Sequence, residues 1–132
     1  MSDDGPLLAV VDDDADVRVA LTRLVSSAGF AVETFGSGAE LLRSLEDHEP
    51  DCLVLDLHMP EISGFDVQGA LARGHPGIPV IVITGHHTPE SHARAIQLGA
   101  KSYLRKPVND SVLLEAIENA IGGHAQSGRG TV

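Results

Sequence analysis

The sequence holds no tryptophan, one tyrosine and three phenylalanines in 132 residues. Any core must therefore be aliphatic, built from Val, Leu, Ile and Ala. A single cysteine, Cys52, excludes an internal disulfide and suits a reducing compartment. Basic residues are scarce: nine Lys and Arg stand against nineteen Asp and Glu, a net charge of −10. Nucleic-acid phosphates are bound by clusters of Lys and Arg, so the balance argues against nucleic acid as a partner of this domain. It suits a solvated acidic surface or a cation site. No run of about 18 apolar residues occurs, so no membrane-spanning helix is expected. The opening MSDDGPLLAV has no basic segment ahead of its short apolar run and does not read as a signal peptide. A cytoplasmic location is expected. There is no internal repeat, and the length suits one domain.

Five short apolar runs are present, at residues 7–11, 31–35, 52–55, 80–83 and 102–104. The first, third and fourth are nearly unbroken in Val, Ile and Leu, the pattern of strands buried on both faces. Helical periodicity fills the gaps. Val17, Ala20, Leu21, Leu24, Val25 and Ala28 recur at helical spacing and Gly29 follows as a stop. Ser37 with Glu40 forms a capping box ahead of Leu41, Leu42 and Leu45. Ser63 caps a third helix carrying Val67, Ala70 and Leu71. A fourth runs from near Pro89 to Gly99. A fifth opens at Asn109 or Asp110, presents Leu113, Ala116, Ile117, Ala120 and Ile121, and stops at Gly122. The expected organisation is an extension over 1–6, one domain over 7–121, and a flexible glycine-rich tail over 122–132. Strict alternation implies an α/β fold, (βα)5, with a doubly wound parallel sheet and helices on both faces.

Such sheets bind ligands at the carboxyl ends of their strands. Here those ends carry Asp12-Asp13-Asp14, Asp56, Thr84-Gly85 and Lys106-Pro107. Three of these carboxylates, Asp12, Asp13 and Asp56, would share one crevice with a hydroxyl and an ammonium. The carboxylates repel one another, and a divalent cation relieves that repulsion. Mg²⁺ suits one or two carboxylates with a carbonyl, waters and a phosphoryl oxygen, and Mn²⁺ is the alternative. A carboxylate beside such an ion can accept a phosphoryl group as an aspartyl phosphate.

Four strings, VVDDDADVR, VLDLHMPEISGFD, PVIVITGHH and AIQLGAKSYLRKP, together resemble the receiver domains of two-component response regulators. The likeness covers residues 7–121, and the TGH and KP contexts look most like the FixJ-type branch. The resemblance implies a CheY-like, flavodoxin-type five-stranded sheet in the order 2-1-3-4-5. It implies that Asp56 is the phosphoacceptor. Asp13, Asp56 and the backbone carbonyl of His58 would hold the metal directly, and Asp12 through water. Thr84 and Lys106 would bind phosphoryl oxygens, Thr84 and Tyr103 would switch, and the Lys106–Pro107 peptide would be cis. His58 and His86 would tune phosphate lifetime. Val108 departs from the commoner aromatic, and Lys101 and Arg105 make the fifth strand unusually basic.

Competing readings fail on particular residues. Asp12, Asp14 and Asp16 begin like an EF-hand loop, but Val17 and Arg23 stand where that loop needs Gly and Glu. A haloacid-dehalogenase-type phosphatase would want Asp at 58. Asp14 and Asp16 read as acids at a helix start. His48, His75, His92 and His124 read as surface residues, and adjacent His86 and His87 need not converge. The resemblance implies phosphorelay signal transduction, a histidine kinase or histidine phosphotransfer protein as donor, and a surface of the fourth helix, fifth strand and fifth helix that switches for output or a phosphorylation-dependent homodimer. Catalysis would be limited to the chain's own phosphorylation and dephosphorylation. The alternatives are a phosphorelay carrier without output of its own, and the receiver part of a DNA-binding transcriptional regulator. Only 11 residues follow Ile121, so a stand-alone receiver or one cut from a longer protein is expected.

Overall fold

The computed structural model describes residues 5–129. The elements alternate without exception: β1 (Leu7–Val11), α1 (Ala15–Ser27), β2 (Ala31–Phe35), α2 (Gly38–Ser44), β3 (Cys52–Asp56), α3 (Gly64–Gly74), β4 (Val80–Thr84), α4 (Pro89–Gln97), β5 (Ser102–Arg105) and α5 (Asp110–Arg129). All strand pairs are parallel, in the order β2-β1-β3-β4-β5. Each crossover is a helix, as parallel pairing requires.

The three central strands explain their unbroken apolar runs. Alternate side chains point to opposite faces, and both faces are covered. Ala9, Val11, Leu53, Leu55, Val80 and Val82 pack with Leu41 of α2, Val67 and Leu71 of α3 and Ala95 of α4. Leu8, Val10, Cys52, Val54, Ile81 and Ile83 pack with Leu21 and Val25 of α1 and Leu113 and Ile117 of α5. Burial pushes the Cys52 thiol up to about 12, against the Leu53 N–H, so it acts as a small apolar residue.

The helix starts follow capping chemistry. Asp14, Ser37, Ser63 and Thr88 each accept a backbone N–H of the first turn, and Asn109 accepts those of Ser111 and Val112. Ser63 and Asp66 close a full capping box. Ser37 and Glu40 close half of one: Glu40 reaches past the cap to the Gly36 N–H at 3.3 Å. Gly29 and Gly99 follow α1 and α4 at φ +98° and +104°, the left-handed turn that glycine adopts freely.

The fifth helix differs from expectation. It continues past Gly122 to Arg129, so helix replaces most of the tail expected over 122–132. Glycine costs about 1 kcal/mol relative to Ala within a helix, but it does not forbid helical dihedrals, and no proline follows to break the ladder. Residues 130–132, and residues 1–4 of the expected extension, lie outside the described residues.

Candidate functional site

Asp12 follows the last residue of β1 and is fully buried. Its Oδ1 accepts the Asp14 N–H at 2.9 Å, and its own carbonyl accepts from Arg18 Nη1 at 2.7 Å. Asp56 closes β3, where it still pairs in register with Ile83. It is 3% exposed. Asp13 is exposed beside them, and one carboxylate oxygen from each of Asp12, Asp13 and Asp56 lies within 4.8 Å of the others.

Lys106 reaches in from the turn after β5. Its Nζ stands 2.9 Å from Asp12 Oδ2 and 3.6 Å from Asp56 Oδ1. The nearer contact is an ion pair by distance, yet Asp12 Oδ2 has no well-directed hydrogen-bond donor. One ammonium also leaves three carboxylates undercompensated. Burial first, then the Asp12 charge, pushes the Asp56 carboxyl up to about 6, against the pull of Lys106 and the His58 N–H. Burial alone would lower Lys106, but its short contact with Asp12 and the charges of Asp56 and Asp12 outweigh it, and the net shift is upward. A buried oxygen without a directed donor, within an all-oxygen cluster of excess negative charge, fits a hard divalent cation.

Thr84 closes β4 and is fully buried. Its hydroxyl accepts the His86 N–H at 3.0 Å, which leaves its proton for His58 Nδ1 at 3.1 Å. The His58 ring is held below the usual histidine range by burial, then by His86 and Lys106, consistent with a neutral acceptor. The His58 and His86 rings meet edge to face at 5.2 Å. The structure thus gathers Asp12, Asp13, Asp56, Thr84, Lys106, His58 and His86 at one end of the sheet. The Lys106–Pro107 peptide is cis. Tyr103 lies one strand further out, half-buried on β5, and its hydroxyl meets His87 Nδ1 at 3.0 Å. Burial raises the phenol, against Arg105 and the Thr88 N–H.

Several contributors escaped the sequence reading. Arg18 ties α1 to the Asp12 carbonyl, and only its position within the VVDDDADVR string pointed to it. His87 and His92 carry no role in the sequence reading, yet both rings pack against Tyr103, the exposed His92 with ring centroids 4.6 Å apart. Gly64 faces the backbone of Asp56 and Leu57, where a Cβ would stand 2.6 Å from the Asp56 carbonyl oxygen. His48 and His75 do sit at the surface, paired with Glu33 and Glu49. The His124 side chain lies outside the described residues.

Residues 8–118 match the family model described as the response regulator receiver domain. Nodulation protein W of Bradyrhizobium diazoefficiens is 43% identical over 111 residues, covering 84% of this chain and 49% of that protein. Response regulator protein TodT of Pseudomonas putida is 40% identical over 121 residues, covering 92% and 53%. The crystal structure of FixJ-N superposes with a TM-score of 0.82 at 36% identity, covering 89% of this chain and 94% of that one. The chain spans about half the length of the curated relatives it matches.

Proposed function

The chain belongs to the response regulator receiver family, and from that premise we propose that it accepts a phosphoryl group on Asp56 from a histidine kinase or histidine phosphotransfer protein. The observation that carries this reading is the position of Asp56: a buried strand-end carboxylate with Asp12 and Asp13 on one side and Lys106 Nζ 3.6 Å away.

An Asp56 oxygen forms a new bond to phosphorus as the phosphorus–nitrogen bond of a phosphohistidine donor breaks, and the departing imidazole keeps the electron pair. The product is an acyl phosphate. Lys106 neutralises one phosphoryl oxygen, and Thr84 donates to another after leaving His58. Asp13, Asp56 and the His58 carbonyl would hold Mg²⁺, with Asp12 acting through water. Mg²⁺ supplies charge neutralisation for the transferring group. Hydrolysis returns Asp56 and inorganic phosphate, and His58 and His86, flanking the position where water must attack, set its rate. The chain's catalysis is confined to these two steps on itself.

The phosphoryl group is read out at the surface of α4, β5 and α5. Ile96 on α4 and Val112 on α5 are large apolar side chains left 46% and 45% exposed, which suits a partner or a second copy of this chain. In the longer protein that the relatives' lengths suggest, the reader is an output domain such as a DNA-binding module.

A small phosphodonor such as acetyl phosphate tests the reading. With Mg²⁺, intact mass should show one added phosphoryl group, and chelation should abolish it. Asp13→Ala should lose the Mg²⁺-dependent phosphorylation that Asp14→Ala keeps, because Asp14 serves as the α1 cap. Equal loss in both variants would mean a diffuse acidic cluster and no defined ligand set.

A further inference from the structure

A groove of about 450 Å³ runs between α3 and α4, with Phe65, Gly69 and Arg73 on one wall and Arg94 and Gln97 on the other. Phe65, Gly69 and Arg73 are spaced four residues apart and share one face of α3. Gly69 has no side chain, and Arg73 lies back along that face, with Nη1 3.5 Å from the point where a Gly69 Cβ would stand. The Arg94 guanidinium crosses from α4 and sits over the Phe65 ring, 4.2 Å from its centroid. About 6 Å of helix axis separates Phe65 from Gly69, so two guanidiniums of like charge occupy neighbouring turns of α3. The spacing of the two helices is fixed beside them by Gln68, which is buried and donates from Nε2 to the Ala95 carbonyl at 3.0 Å.

Among the described residues no carboxylate balances this pair. Ion pairs there are made by Lys106, His48 and His75, and of the arginines Arg18 alone donates a side-chain hydrogen bond. Asp66, the acid of the groove, turns its Oδ2 to the Ser63 N–H at 3.0 Å in the α3 capping box. In a chain of net charge −10, the two guanidiniums are a local inversion of sign. We propose that the groove is a binding site for a small phosphomonoester, whose anionic head Arg73 and Arg94 hold from the two helices. Such a head carries about −1.5 to −2 charges at neutral pH and three acceptor oxygens, enough to bridge two guanidiniums. A carboxylate carries one charge, and its two oxygens are filled by a single arginine fork. Gln97 offers a donor and an acceptor to the rest of the ligand, and the volume suits a small molecule. A phosphate ester of an alcohol is no acyl or nitrogen phosphate, so it binds here without phosphorylating Asp56. The site uses none of Asp56, Thr84 and Lys106 and stands apart from the phosphoacceptor reading.

Glycerol 3-phosphate is the probe, titrated into the whole chain and followed by NMR. A chelator is present throughout, so that no divalent ion recruits the probe to Asp56, and ionic strength is held constant. The Gly69 amide and the Arg73 and Arg94 Nε–H signals should shift together and saturate, with a dissociation constant of roughly millimolar order. A repeat at higher salt should weaken binding, because both guanidiniums are exposed. Arg73→Gln and Arg94→Gln should each cost about tenfold or more in affinity. Arg43→Gln removes the same charge from an exposed position on α2 and should leave affinity within about twofold. Amide shifts away from the groove that match wild type show that each variant is folded. Succinate, a dianion made of two separate carboxylates, should bind at least about fivefold more weakly than the phosphate ester. Three results would each overturn the site: shifts that rise without saturating, a loss in Arg43→Gln equal to that in the two groove variants, or succinate binding as tightly as glycerol 3-phosphate. The first means no site, the second an effect of bulk charge, and the third a site for carboxylates.

Discussion

Asp56 is held beside Asp12 and Lys106 with 3% of its surface exposed, and its carboxyl is raised to about 6, by burial first and by the Asp12 charge second. That shift has a consequence for stability without Mg²⁺. Below about pH 4 the carboxyl is neutral in the folded and unfolded chain alike. As pH rises, the unfolded chain releases its proton first, and the folded chain must then carry a buried charge. Stability therefore falls as pH rises from about 4 to about 6, by about 3 kcal/mol from this group. Asp56→Asn removes the titration. Urea unfolding in a chelator should show the variant gaining on wild type by roughly that amount between pH 4 and pH 7. A constant difference across that range would mean that the folded chain does not raise this carboxyl. Mg²⁺ should close the gap by stabilising wild type at neutral pH.

At the scale of elements, the approach of α3 to the end of β3 sets the phosphoacceptor's surroundings. Gly64 opens α3 and its N–H bonds the Leu57 carbonyl at 2.9 Å. A Cβ there would meet the Asp56 carbonyl oxygen at 2.6 Å and Leu57 Cα at 2.7 Å, both backbone atoms that cannot rotate away. Alanine ordinarily favours a helix by up to about 1 kcal/mol over glycine, but overpacking of this kind costs about 1–3 kcal/mol. Gly64→Ala should therefore destabilise. Gly69, in the same helix, has only Arg73 Nη1 at 3.5 Å from its Cβ position, and Gly69→Ala should stabilise by about 0.5–1 kcal/mol. Thermal or urea unfolding of the pair checks the contrast, and two shifts of the same sign would contradict it. The elements themselves were legible because burial on both faces leaves an unbroken apolar run, and because Ser63, Asn109, Gly29 and Gly99 announce their caps. Asp56 and Thr84 read as strand ends beyond the runs, and the structure counts them within the strands because their backbones still pair. Gly64, the half-formed Ser37 box and the Glu61 backbone at φ 69° were not legible. Gly64 depends on how closely the backbone of Asp56 and Leu57 approaches it, and no local spacing encodes that. The α5 extension escaped for a different reason, since Gly122-Gly123 weakens a helix without ending it.

At the scale of the whole molecule, a surface of net charge −10 keeps copies of the chain apart by mutual repulsion. Lys101 just ahead of β5, Arg105 at its end and the apolar side chains Ile96 and Val112 are the local exceptions on the α4–β5–α5 side. Phosphorylated or beryllofluoride-loaded chain should sediment as a dimer at concentrations where the unmodified chain is a monomer, and Ile96→Asp should weaken that dimer at least about tenfold, the loss expected of one apolar contact replaced by a charge. Identical sedimentation of the two forms would place the output elsewhere. All of this depends on where the phosphoryl group goes, and borohydride reduction followed by peptide mass mapping reads that directly. Reduction converts an aspartyl phosphate to homoserine and leaves phosphoserine, phosphothreonine and phosphohistidine without that change. After treatment with acetyl phosphate and Mg²⁺, homoserine should appear at position 56 and at no other aspartate. Homoserine at Asp12 or Asp13, or a phosphorylated chain with aspartate intact at 56, would contradict the account.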